Sequence, residues 1–296
     1  MKLGVIPLCD RSITDRRWTA EFLTLLEEEG VESVWMPEHV VMAQDYEPLY
    51  DYSEDGRAPI SPTTVLPDPL QWLNFAAALT TRIRLCTGVL IGPQHSAAML
   101  AKRLATLDAL SGGRLEVGIG IGWQKEEYEA VGVPFEHRGR RLDECMDAMR
   151  ELWANDPATF QGDFVKFKNV FCDTKPHNGT SIPLLVGGSS EAAARRAGLR
   201  GDGFHPYVMA PEVLVERIRL MHETAQRAGR NVSSLPVALM PSSYQPKGSF
   251  DLALMRDYVS AGVDRFIIAA YEASSHDIDG IRRLIKELQD RILAKI

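Results

Sequence analysis

Cysteine is scarce in this chain: Cys9, Cys86, Cys145 and Cys172 are spread over 296 residues, with no C-x-x-C pair. That spacing excludes a disulfide framework and a structural zinc site. No H-E-x-x-H accompanies the seven histidines, so a catalytic metal lacks a ligand set as well. Basic charge is in deficit, with 33 Lys and Arg against 40 Asp and Glu and a net charge of −7. A general nucleic-acid binder needs the opposite sign, because a phosphate backbone demands basic surface. Long apolar runs are missing too; none approaches the ~18 residues that span a bilayer. Residues 2–8 enter a strand-like segment without the basic and apolar regions of a signal peptide. Together these absences predict a cytoplasmic protein that engages neither membrane nor nucleic acid.

Glycine, by contrast, is placed with care. In "LEVGIGIGWQKEEYEAVG", Leu115–Gly132, three glycines alternate after a short apolar strand and before a helix-like run. A dinucleotide fingerprint needs G-x-G-x-x-G. Counting from Gly118 or from Gly120, the third glycine is replaced by Trp123 or Lys125. The fingerprint fails, so these glycines serve another purpose.

The rest of the chain alternates strand and helix patterns. Strands are predicted at 2–8, 33–36, 83–91, 115–119, 182–186, 203–208, 235–240 and 265–271, most followed by an amphipathic helix. A Pro-, Asp- and Tyr-rich loop, 44–68, follows the second strand, and residues 155–182 interrupt the rhythm with a hairpin-like insert. The alternation implies a parallel sheet, and eight right-handed units close into a barrel. A single (β/α)8 TIM barrel over 1–296 is the economical reading; an open doubly wound sheet is the alternative.

In such a barrel, chemistry sits at the C-terminal ends of the strands. Strand two ends in "WMPEHV", which carries Glu38 and His39 there. His39 is either a hydrogen-bonded structural residue or a group that moves protons near neutral pH. "LLVGGSSEAAARRAG" places Gly187, Gly188 and Ser189 before a helix. This is either a tight turn with a Ser189 or Ser190 cap, or a phosphate site built from free N–H groups and the helix dipole. Gly88, within a β-branched strand, suggests a bulge or a close ligand approach. Gly120 and Gly122 leave room for a flat ring against the backbone. Trp123 either walls that space or packs against helices. Arg138, Arg140 and Arg141 read as a solvated helix start or as a patch for an anionic tail.

Taken in order, "VWMPEHV", "IRLCTGVLI", "RLATLDALSGGRLEVGIGIGWQKEEYEAVG", "RGRRLDE" and "PLLVGGSSEAAARRAGLRGDGF" resemble the bacterial luciferase-like family of flavin and deazaflavin oxidoreductases. The resemblance extends from the first strand to about Phe204 and is closest to the branch using coenzyme F420. It implies a barrel with an inserted segment that binds F420, or FMN, at its C-terminal face. It further implies a non-prolyl cis peptide at Gly88-Val89, with Thr87 beside it, backing the cofactor ring. Gly187–Ser189 match the phosphate site, and Glu38 with His39 an acidic-His pair beside the ring. One departure matters: sugar-phosphate dehydrogenases of that branch carry a glutamate where Trp123 stands here, which argues against glucose-6-phosphate as substrate.

Three functions are thus in view. The first is hydride transfer between F420 and a small organic substrate, with His39 as catalytic residue. The second is an FMN-dependent monooxygenase fed by a separate reductase. The third is a non-catalytic flavin-binding barrel. The family habit implies a homodimer and a partner enzyme that regenerates reduced cofactor. Loop 44–68, with Tyr46, Tyr50, Tyr52 and Arg57, is expected to set substrate choice while leaving cofactor affinity alone.

Overall fold

The computed structural model describes residues 1–296. Eight parallel strands run in the order β8-β7-β4-β3-β2-β1-β10-β9. They are β1 (Lys2–Ile6), β2 (Ser33–Met36), β3 (Arg84–Ile91), β4 (Leu115–Gly120), β7 (Leu184–Gly187), β8 (Gly203–His205), β9 (Ala238–Leu239) and β10 (Arg265–Ala269). A parallel bridge between Phe204 and Val237, with Phe204 N donating to Pro236 O at 2.9 Å, joins the two ends of this order. The result is the closed (β/α)8 barrel, not the open sheet.

Around it lie α1 (Arg16–Glu28), α2 (Pro69–Leu79), α3 (Ala97–Ser111), α4 (Lys125–Ala130), α5 (Arg138–Ala154), α6 (Glu191–Arg200), α7 (Pro211–Arg227), α8 (Pro241–Tyr244), α9 (Leu252–Ala261) and α10 (Ile278–Arg291). Their ends follow local chemistry. Asp15 and Asp68 cap α1 and α2 by accepting first-turn N–H groups, and Gly112 closes α3 in the left-handed region. No helix is long and apolar enough to cross a membrane.

Three of the strands that fall short of the apolar pattern are bounded by proline, whereas β10 gives way after Ala269 to a tight helical turn, Ala270–Glu272. Pro7 follows β1, Pro206 follows β8, and β9 is confined between Pro236 and Pro241. A proline offers no N–H to a ladder, so hydrogen bonding ends where it begins. The insert is a two-stranded antiparallel hairpin, β5 (Ala158–Gln161) and β6 (Lys166–Val170). Its turn is held by Glu144 of α5, which accepts from the N–H groups of Asp163, Phe164 and Val165 at 3.0, 2.7 and 3.1 Å. Arg140 pairs with Asp163, while Arg141 lies 4.3 Å from the Phe164 ring centre. Arg138 lies over Phe135. The arginine cluster therefore fastens the insert and the α5 start to each other.

Inside the barrel, Trp35, Cys86, Leu185, Ala238, Met240, Ile267 and Ala269 form a small apolar cluster. Below it, at the strand starts, Arg265 is buried against Glu116 and reaches Glu32 at 2.8 Å. The larger core packs between strands and helices. The polar plug closes the N-terminal end, so only the C-terminal face is open to build a site.

Candidate active site

His39 leaves the barrel three residues after β2. Its Nδ1 lies 3.0 Å from Oε2 of Glu127, a fully buried residue of α4, whose Oε1 accepts the Val40 N–H at 2.6 Å. A carboxylate accepts only, so Nδ1 carries the hydrogen and Nε2 is left for other chemistry. Two more α4-end acceptors hold the same segment: Gln124 takes the Ala43 N–H at 3.1 Å and Glu126 the Glu47 N–H at 2.8 Å. Glu127 stood in the sequence as one of several charges in "KEEYEAVG". Nothing local flags a contact 88 positions away; only its burial reveals it.

Glu38 points the other way. Its two oxygens engage the Ile91 N–H at 2.6 Å and His95 Nε2 at 3.0 Å. It ties the β2 end to the β3 end. Thr87 likewise donates to Gly118 O at 2.7 Å and has no exposed surface.

The Gly88-Val89 peptide is cis, and the β3–β4 register shifts between Thr87 and Leu90. Met36 pairs with Thr87 across the β2–β3 ladder, so this bulge and the Glu38–His39 pair share one corner of the mouth. The bulge also gives two of the glycines a steric reason. A Cβ on Gly187 would stand 2.5 Å from Val89 Cγ1, and one on Gly120 2.9 Å from Val89 Cγ2. A Cβ on Gly122 would stand 2.9 Å from Ile91 Cγ2. Gly120 and Gly187 are bare where the Val89 side chain lies, while Gly122 also adopts a left-handed φ of +65°. Behind Gly88 stand Trp35 and the buried His205. His205 Nδ1 lies 2.9 Å from Ala238 O, and burial holds its pKa below the ordinary value. His205 ends β8, within the strand expected at 203–208.

At the far side of the mouth, Gly188 adopts φ +113°, a left-handed conformation that suits glycine. Ser190 caps α6, accepting the Ala193 N–H at 3.2 Å. Ser189 instead bonds the backbone of Tyr207, accepting its N–H at 3.0 Å and donating to its carbonyl. Arg217 of α7 donates from Nε to Ser189 O at 3.1 Å. Unpaired first-turn N–H groups, the helix dipole and a guanidinium meet at this turn, a combination that suits an anion.

Loop 44–68 spans the two sides. Trp123 meets His39, Tyr46 and Tyr50 edge-on, with centroid distances of 5.9, 5.1 and 5.2 Å. Tyr50 meets Tyr52 at 5.3 Å, and Tyr52 meets Tyr207 at 5.2 Å. Such T-shaped contacts place ring edges on ring faces, the preferred arrangement of aromatic pairs. Trp123 is thus part of the mouth's wall. His39 at one end and the Gly188 turn at the other are joined by one row of rings. No cluster of three metal-ligating side chains exists in the structure.

Comparison with known proteins agrees with this architecture. A protein of Mycobacterium tuberculosis (strain ATCC 25618 / H37Rv) of no assigned function is 34% identical over 233 residues, 78% of this chain and 80% of its own. The F420-dependent glucose-6-phosphate dehydrogenase of Mycolicibacterium gilvum (strain PYR-GCK) is 31% identical over 222 residues, 73% of this chain and 61% of that protein. An F420-dependent secondary alcohol dehydrogenase, solved with an F420-acetone adduct, superposes with a TM-score of 0.75 at 21% identity. That match covers 96% of this chain and 97% of the other, and it shows the shared fold. The profile of the luciferase-like monooxygenase family matches residues 9–244. This chain belongs to the luciferase-like monooxygenase family, a family of enzymes.

Proposed function

We propose that this protein is an oxidoreductase that passes a hydride between coenzyme F420 and a small organic substrate. The observation carrying the reading is the Glu127–His39 pair, set beside a cis bulge and across the mouth from an anion-suited turn. F420-dependent relatives support it. When bound, the deazaflavin supplies two-electron chemistry, which is a property of the cofactor. The protein binds, orients and handles the proton. Gly88-Val89 backs the ring, Gly188 and the α6 N-terminus take the phosphate, and the tyrosine row keeps water from the reacting face. Glu127 fixes the tautomer of His39, so Nε2 gives or takes the proton that accompanies hydride transfer. Trp123, where sugar-phosphate enzymes of the branch carry a glutamate, directs the reading away from glucose-6-phosphate. A homodimer and a separate enzyme that regenerates the reduced cofactor belong to the same reading.

The second reading is an FMN-dependent monooxygenase, favoured by the family to which the profile belongs. Titrating the apo-protein in parallel with F420 and with FMN separates the two. Clear preference for F420 supports hydride transfer, and a substrate screen under nitrogen follows. Preference for FMN moves the protein to oxygen chemistry and overturns the first reading.

A further inference from the structure

The tyrosine-rich loop does more than cover the mouth. It is a built segment: Tyr50 N donates to Gly56 O at 2.9 Å, Ser53 Oγ to Arg57 O at 2.7 Å, and Ala58 N to the Tyr46 hydroxyl at 3.1 Å. Its Tyr52 ring is packed between Tyr50 and Tyr207. That packing delivers the phenol to the Gly187–Ser189 turn. A Cβ on Gly188 would stand 3.8 Å from the Tyr52 hydroxyl, so the phenol oxygen lies against this turn. The loop therefore reaches the very turn assigned to the cofactor's phosphate, on which Arg217 also converges.

We propose that Tyr52 is a ligand of the cofactor's phosphate, contributed by the loop that covers the substrate side. The proposal rests on the reading of the Gly187–Ser189 turn as the phosphate site. Chemically the group suits the task. Burial raises the Tyr52 pKa, so the phenol keeps its proton at neutral pH and can donate it to an anion. A hydrogen bond to a charged acceptor is stronger than one between neutral groups. Structurally, the same loop is pinned at residues 40–47 by Gln124, Glu126 and Glu127, the last of which also holds His39. Phosphate held by Tyr52 would then fix the first part of the loop at two points and set Tyr50 against Trp123. This revises the expectation that the loop leaves cofactor affinity untouched: loop placement and cofactor phosphate are coupled.

The test compares cofactor forms with and without phosphate, read by cofactor fluorescence in direct titrations. F420 is paired with its riboflavin-level deazaflavin, and FMN with riboflavin, for the wild type and Tyr52→Phe. The substitution keeps the ring and its contacts, and the phosphate-free form reports whether the ring site is intact. Wild type should bind the phosphorylated member of its preferred pair more tightly. Tyr52→Phe should weaken that member about tenfold while leaving the phosphate-free member unchanged. Equal weakening of both members, an unchanged ratio, or tighter binding of the phosphorylated form would each overturn the role of Tyr52; the last would show that its hydroxyl blocks the turn. A wild type that binds no member of either pair overturns the cofactor reading itself, and Tyr52's role with it.

Discussion

At the residue scale, space and anchoring account for the placement of several residues at the mouth. Val89 is the clearest case, because two glycines on two other strands are bare on its account. Gly187→Ala should destabilise the protein by about 1–3 kcal/mol through overpacking, and adding Val89→Ala should recover part of that loss. Urea unfolding of the single and double variants gives the coupling; strictly additive losses would refute the explanation. His205 makes a second prediction. Burial lowers its proton affinity on folding, so its contribution is complete above the ordinary value of 6.5 and is lost as pH falls below it. Wild type should therefore lose more stability between pH 7.5 and pH 5.5 than His205→Asn. Parallel pH dependence of the two would show that His205 is not responsible. The glycines and His39 were visible in the sequence because strand ends can be found by pattern. Glu127 was not, because a buried carboxylate on a short helix reads locally like any solvated one.

At the scale of elements, α4 is the organiser of the mouth. This short helix and the residue before it accept three N–H groups from residues 40–47. Glu127→Ala strands the Val40 N–H and frees His39. A loss of about 1–3 kcal/mol is expected, with faster amide exchange at Val40 that spreads along the loop. Exchange confined to α4 itself would mean that the loop is held by its aromatic contacts alone. The sequence marked the helix-like run after the glycines and the irregular loop preceding α2. It did not show that the two are joined, since contacts between a helix start and a loop leave no periodic signature. The hairpin insert was legible as an interruption, whereas its fastening by Glu144 and the arginines appears only when α5 is in place. Strand limits depart from the apolar pattern at Pro7, Pro206 and Pro236 for one reason. Apolar side chains continue past the point where backbone pairing must stop.

At the scale of the whole molecule, the two ends of the barrel carry different burdens. The N-terminal end is sealed by Arg265 with Glu116 and Glu32, while the bulge, His39 and the Gly188 turn all lie at the C-terminal end. Arg265→Met leaves the buried Glu116 carboxylate without its partner, while Glu32 keeps Arg84, and should cost about 3–5 kcal/mol. Cofactor affinity, measured well below the melting temperature, should stay within a few-fold of wild type. A selective loss of affinity would show that the two ends communicate. A parallel sheet was implied by the eight-fold alternation, because a parallel strand and its covering helix repeat with a recognisable period. Closure over an open sheet was decided by the Phe204–Val237 bridge, and register, a matter of contacts between distant strands, leaves no such period. The row of rings across the mouth has one more consequence. Of the five tryptophans, Trp123 alone packs its ring against both His39 and the loop tyrosines. Indole emission responds to the polarity and nearness of such neighbours, so the protein contains its own optical gauge of closure. Its signal is isolated by subtracting the spectrum of Trp123→Phe.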